Sequence, residues 1–441
     1  MHEGREVQNK SISLADFREL QGSTLAERLA RYQAWQLSRR AAGTWMFDKT
    51  LQTAPLPVSE TADGCGRQLN GPNYCSQDYL NLASHPAIKE SAIAALRQLG
   101  AHSAGSPALL GNTIVSRKFE RTLAEFVGYE HVLLFPTGWA AGYGVVKGLV
   151  RPNDWIVMDV LSHACLQEGA KAATENIASF THLDNTALEK RLKRIRGNHP
   201  QVFILAMTEA VFSMDSDTPD FARFLEVRRE YGAVSLVDVA HDLGCLGSTG
   251  RGQLEVQHLL GAPDLLIGSF SKTFASNGGF IATNDAGVKE YLKMYSSPQT
   301  FSNALSPIQV AVASAALDIV KSAEGLQRRN NLLSNSVYLR KKLAESGFTC
   351  LGEPTAIVPV FLGDEEPARQ LWRVLSNRGV ASNFVEFPGV AKNRARIRMQ
   401  IQSAHSNEHA DHFVREPVTA KANLSGNESS LDAAADSGGG R

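Results

Sequence analysis

Residues 265–279 run Leu265-Leu266-Ile267-Gly268-Ser269-Phe270-Ser271-Lys272-Thr273-Phe274-Ala275-Ser276-Asn277-Gly278-Gly279, and Lys272 is the only charged residue between Asp264 and Asp285. Desolvating an ammonium group is costly, so a lysine in such company needs a partner, a covalent role or a route to the surface. Condensation with an aldehyde satisfies the second case, because the amine becomes part of a Schiff base. The apolar run before Lys272 has strand character and ends in small residues. A second run, Val234-Ser235-Leu236-Val237, ends in Asp238 and is followed by His241.

In open parallel α/β sheets, ligands bind beyond the carboxyl ends of the strands, so Asp238 and Lys272 are expected to face one cleft. A carboxylate there can hold a pyridine nitrogen protonated, which pyridoxal phosphate requires to act as an electron sink. Asp238 taken alone is equally suited to capping the next helix. Two further segments repeat the arrangement. Trp155-Ile156-Val157-Met158 precedes His163, and Val132-Leu133-Leu134 precedes Phe135-Pro136-Thr137-Gly138-Trp139. The latter is a strand-to-helix turn of small residues whose free N–H groups suit a phosphate.

Taken in this order, the segments resemble the α-oxoamine synthase family of fold-type I pyridoxal-phosphate enzymes. The resemblance spans roughly Asp78 to His405. It includes Asp78-Tyr79-Leu80-Asn81-Leu82, Thr208-Glu209-Ala210-Val211-Phe212-Ser213-Met214-Asp215, Asp238-Val239-Ala240-His241, Gly268-Ser269-Phe270-Ser271-Lys272 and Arg396-Ile397-Arg398. It implies an α/β chain with a large, mostly parallel sheet domain and a smaller C-terminal α/β domain. It also implies decarboxylative condensation of a small amino acid (serine, glycine or alanine) with an acyl thioester on coenzyme A or an acyl carrier protein, giving an α-amino ketone. The alternatives are another outcome at the same carbon, as in an aminotransferase or a decarboxylase, or a non-catalytic partner subunit of a homologous synthase.

Residue by residue, the resemblance implies that Lys272 forms the Schiff base and moves protons, Asp238 pairs with the ring nitrogen, and His163 stacks on the ring. His241 approaches the ring's phenolic oxygen, and Ser213 belongs to the ring-side set. Gly138, Trp139 and Ser269 serve the phosphate, joined by Ser302 and Asn303 from the neighbouring subunit of a homodimer. Asn303 stands where the family often has threonine. Arg398 is implied to grip the amino-acid carboxylate; alternation puts Arg396 on the same strand face. Ala108 stands where the family usually has arginine, near the substrate entrance, which is compatible with an unusual acyl donor.

The composition fits these expectations. The chain's 441 residues suffice for a large core and a second domain, and 45 basic residues balance 45 acidic ones, with no basic stripe for nucleic acid. Five dispersed cysteines have no metal-ligand spacing and suit a reducing cytoplasm. No signal-like segment opens the chain, and the uncharged run Val132–Val146 is too short for a membrane span.

The expected organisation is an N-terminal arm and connection over 1–73, a cofactor-binding domain over 74–307, a small domain over 308–413 and a disordered tail over 414–441. Thr24 and Glu27 have capping-box spacing for a helix to Arg40, which either crosses a partner subunit or packs on its own domain. Strands are expected at Val132–Phe135, Trp155–Met158, Val202–Met207, Val234–Val237, Leu265–Ile267 and Gly279–Thr283. Others are expected near Ile357–Phe361, Asn383–Glu386 and Arg396–Ile401.

Overall fold

A computed structural model describes residues 12–415. The expected tail over 414–441 begins two residues too early: Val414 and Arg415 continue a helix and Val414 is buried, while the rest of the tail lies outside the described residues. Contacts divide the chain into one unit, Gln77–Leu333, and a second formed by the residues before and after it. The expected boundary at 307/308 therefore moves later. The physical reason is the helix Pro307–Lys321, which packs on Pro86–Leu99 inside the first unit.

The second unit begins with a short ladder of β1 (Thr50–Leu51), β2 (Thr61–Ala62) and β3 (Gln68–Leu69). Before it, Thr24 caps the helix Leu25–Ala41, with its hydroxyl accepting from the Glu27 N–H and the Glu27 side chain reciprocating. Trp35 on this helix is buried, with ring neighbours Phe17 at 5.1 Å and Trp45 at 5.7 Å. The helix thus packs within its own unit.

The first unit holds seven strands: β4 (His131–Phe135), β5 (Trp155–Asp159), β6 (Ile177–Phe180), β7 (Ile204–Glu209), β8 (Val234–Asp238), β9 (Leu265–Ser269) and β10 (Gly279–Thr283). Their order is β4-β10-β9-β8-β7-β5-β6, with β10 antiparallel to both of its neighbours and the remaining pairs parallel. Six of the seven follow the expected runs. The seventh, β6, is a short edge strand that buries only Phe180, so its sequence lacks a strong apolar signal.

Helices cover both faces, and the two-residue alternation of the strands separates two cores. Ile156, Leu205, Leu236 and Ile267 pack under Val145, Val146, Leu166 and Ala170 on one face. Val157, Ile204 and Ala206 pack under Leu188, Leu192 and Phe224 on the other. Burying each Val, Leu, Ile or Phe side chain among these contributes about 1.5–3 kcal/mol. Both faces being covered explains why the strands read as continuous apolar runs rather than alternating ones.

The second unit closes with β11 (Thr349–Cys350), β12 (Ile357–Gly363), β13 (Asn383–Val385) and β14 (Ala395–Gln400), ordered β11-β12-β14-β13 and antiparallel. Among the described residues, no helix is long and apolar enough to cross a membrane.

Candidate active site

The carboxyl ends of β4, β5, β7, β8 and β9 converge on a cavity of about 230 Å³. Its walls include Gly138, Trp139, His163, Glu209, Asp238, His241, Ser269 and Lys272. Each side chain arrives there because a buried strand ends and the chain turns. After β9, Phe270 and Phe274 are fully buried, and the Phe270 N–H donates to the Gly278 carbonyl at 2.9 Å. The loop is pinned on both sides of Lys272, which stays half-buried between them.

Asp238 ends β8 and is 8% exposed, with Oδ1 accepting from the Ala240 N–H at 2.9 Å. Burial raises its carboxyl above the ordinary value, and the neighbouring His163 and Lys272 oppose that rise. His241 follows in the turn, with Nδ1 2.9 Å from the hydroxyl of fully buried Tyr79. Tyr79 lies in one of the quoted motifs, yet nothing local in the sequence revealed this pairing across 162 positions.

His163 caps the helix Ala164–Ala173, with Nδ1 accepting from the Cys165 N–H at 3.3 Å. The Cys165 sulfur lies 3.0 Å from the same nitrogen. Burial raises the Cys165 thiol well above its ordinary value, so it remains a donor.

Glu209, at the end of β7, is the site residue to which sequence reasoning gave no role. It is 4% exposed, accepts a short hydrogen bond from the His163 N–H and is paired in register with Asp238. Burial, then the adjacent Asp238 charge, hold its carboxyl well above the usual range. A neutral acid at this position lets Asp238 carry the charge. Glu209→Gln should therefore leave stability and turnover near wild type. Glu209→Ala strands the His163 N–H and should cost about 1–3 kcal/mol. Denaturant unfolding and turnover of the two variants check this, and equal damage from both would mean that Glu209 is ionised.

At the phosphate end, Thr137 caps the helix Gly138–Leu149, with its hydroxyl accepting from the Ala140 N–H at 3.0 Å. The N–H groups of Gly138 and Trp139 precede the first intrahelical bond and point ahead of the helix. A Cβ on Gly138 would lie 2.5 Å from Ser269 Cβ, so only glycine lets this turn abut Ser269. The Ser269 hydroxyl is 2.7 Å from that of Ser271.

The remaining expected residues lie outside this cavity's lining. Ser213 is half-buried in the turn after β7. Ser302 donates to the Pro298 carbonyl at 2.6 Å, and Asn303 is exposed. Arg398 belongs to the second unit, on β14 opposite Pro359 and Asn383. It is partly exposed, whereas Arg396 is 3% exposed.

Residues 72–416 match the family model for aminotransferases of class I and II. The 8-amino-7-oxononanoate synthase of Thermoanaerobacter pseudethanolicus is 34% identical over 359 residues, which cover 81% of this chain and 90% of that protein. The corresponding synthase of Geobacter sulfurreducens is 34% identical over 340 residues, 77% of this chain and 86% of the relative. Among solved structures, the serine palmitoyltransferase of Sphingomonas wittichii aligns with a TM-score of 0.84 at 27% identity, covering 90% of this chain and 98% of the other. One from S. paucimobilis with PLP and myriocin bound gives 0.84 at 26%, covering 91% and 100%.

The chain belongs to the α-oxoamine synthase family. This α-oxoamine synthase is a pyridoxal-phosphate-dependent acyltransferase that condenses an amino acid with an acyl thioester and releases CO2. Its residues fit that cofactor. A helix N-terminus and serine hydroxyls stand at one side of the cavity, a buried carboxyl at the strand end, and an amine and an imidazole on the walls.

Proposed function

We propose that Lys272, Asp238, His163 and His241 form the catalytic set, acting on serine, glycine or alanine. The acyl group would come from coenzyme A or an acyl carrier protein. The observation that carries this reading is the gathering of Lys272, Asp238 and His163 in one cavity at the ends of three strands of the sheet. The relatives' names, an oxononanoate synthase and a palmitoyltransferase, support an acyl donor but differ in what they make.

When bound, pyridoxal phosphate supplies an aldehyde for amine condensation and a ring that accepts the electron pair released at the amino acid's Cα. Lys272 provides the amine for the covalent link and then moves the Cα proton. Asp238 holds a proton at the ring nitrogen. The His163 ring offers a face, while Tyr79 fixes His241. The N–H groups of Gly138 and Trp139, with the Ser269 hydroxyl, bind the phosphate. Ser213 belongs to the ring-side set. A screen of amino acids against acyl-coenzyme A donors, read by free-thiol release, tests the assignment. No release with any pair, from cofactor-loaded protein, would contradict it.

Arg398 is the proposed clamp for the amino-acid carboxylate. Arg398→Ala should raise the amino-acid requirement by about 10- to 100-fold, the equivalent of a charge-assisted bond of roughly 1.5–3 kcal/mol. The acyl-donor requirement should change little. Titrating the bound cofactor's absorbance with amino acid isolates this step, and an unchanged midpoint would assign the clamp elsewhere.

The enzyme is proposed to be a cytoplasmic homodimer in which Ser302 and Asn303 complete the partner's phosphate site. Supporting this, Leu109, Leu110 and Phe301 are 84%, 86% and 86% exposed. Their two loops are joined by the Ala108 N–H to the Gln299 carbonyl at 3.2 Å and the Ala304 N–H to the Gly105 carbonyl at 2.9 Å. Exposed apolar groups gathered in this way favour association. Sedimentation should give twice the chain mass, and an active monomer would contradict it.

A further inference from the structure

Away from the cavity, on the same side of the sheet, His182 stands between two carboxylates. Its Nδ1 is 2.9 Å from Asp159 Oδ1 and its Nε2 is 3.0 Å from Asp217 Oδ2. The side chain of Asp159 is fully buried at the end of β5, and it also accepts the N–H groups of Leu161 and Leu183, each at 2.9 Å. The His182 ring stands nearly perpendicular to that of Phe212, at 4.5 Å between centroids. A neutral imidazole has one N–H, so carboxylate oxygens at both nitrogens call for the doubly protonated cation. The three loops joined here are those that follow β5, β6 and β7. The first presents His163, and the third follows Glu209, whose carboxyl holds the His163 N–H.

We propose that His182 is a positioning residue for the reaction: an imidazolium clamp between Asp159 and Asp217 that fixes the loop presenting His163. The proposal rests on the role assigned to His163 above. The protonation state of His182 can be tested independently of that role.

The two carboxylates that hold the ring come from different elements. Asp159 approaches from β5 and Asp217 from the loop after β7, while Asp184 follows on the same loop as His182 and Glu209 is electrostatically linked to Asp159. Burial lowers the basicity of His182, but hydrogen bonds and charge from Asp159 and Asp217 outweigh it and push its pKa up to about 10. The folded value is raised, so the clamp's contribution to stability is fully present below the unfolded pKa near 6.5. It declines as pH rises and is lost through pH 10.

The test uses cofactor-loaded enzyme with isotope-labelled histidine. At pH 8.5, one histidine should remain doubly protonated by nuclear magnetic resonance, and its signal should vanish in His182→Gln. That variant should keep cofactor affinity within about twofold and lose up to roughly 100-fold in kcat, the scale of a displaced catalytic group. The amino-acid KM should barely move. The circular dichroism induced in the bound cofactor's visible band should change, which a loss of stability alone would not produce. His182→Arg, which restores a two-pronged cation, should recover part of the rate and of the signal.

A neutral His182 at pH 8.5 would overturn the clamp. Wild-type kcat and dichroism in His182→Gln would overturn its link to His163. Should His182→Gln fail to fold, Asp217→Asn removes one of the clamp's two negative charges from the partly exposed rim and is held to the same two criteria. If the wild-type enzyme lacks thiol release while His182 is an imidazolium, the functional reading fails and the clamp stands.

Discussion

Lys272→Ala should lose turnover by roughly four powers of ten, because it removes both the covalent amine and the group that moves the Cα proton. The fold should survive. Lys272 sits on a loop pinned by Phe270 and Phe274, which are fully buried and untouched by the change. Phosphate-site groups on the helix Gly138–Leu149 also remain, so the variant should still bind cofactor, more weakly and without the covalent link. Visible absorbance after gel filtration, together with a thiol-release assay, separates these effects. Turnover within tenfold of wild type would mean that another amine carries the chemistry.

The second large effect belongs to Asp238. Asp238→Asn nearly preserves volume and shape but replaces a carboxylate with a neutral amide, which cannot hold a ring nitrogen protonated. Exchange of the amino acid's Cα proton with solvent should slow by at least about 100-fold, within the range general acid–base groups contribute. Amino-acid binding should change less. Asp238 is buried beside Glu209, and burial together with the Asp238 charge raises the Glu209 carboxyl, so the amide removes charge from a crowded acidic site. Near-normal exchange would show that Asp238 is not the ring's partner. Measuring exchange without acyl donor isolates this step from the condensation.

The sheet was largely legible in the sequence because its parallel strands are buried on both faces. Each reads as an apolar run broken by a small or polar residue where the chain leaves the sheet. The same breaks exposed Gly138, His163, Asp238 and Lys272, since a charged or flexible residue after such a run has only the sheet's end to occupy. What stayed hidden depends on pairings between distant segments. Tyr79 and His241 meet across 162 positions, and His182 gathers carboxylates 23 and 35 residues away. Glu209 entered the sequence reading only as part of a quoted motif; its register beside Asp238 and its bond to the His163 N–H are visible in the structure alone. Arg396 and Arg398 share a strand face, so alternation could not separate them, whereas burial does. Arg396 lies opposite Phe361 and Val385 and is 3% exposed, whereas Arg398 is partly exposed. The unit boundary was misplaced for a related reason. The helix Pro307–Lys321 looks like the start of something new, but its apolar side belongs to Pro86–Leu99, far earlier in the chain.

Borohydride reduction of the cofactor-loaded enzyme, followed by protease digestion and mass mapping of every lysine-containing peptide, tests the central assignment most directly. The account predicts a single pyridoxyl adduct, on Lys272, that is absent when the enzyme is first saturated with an amino-acid substrate that displaces the lysine. An adduct on any other lysine, or none on protein that binds the cofactor, would contradict it.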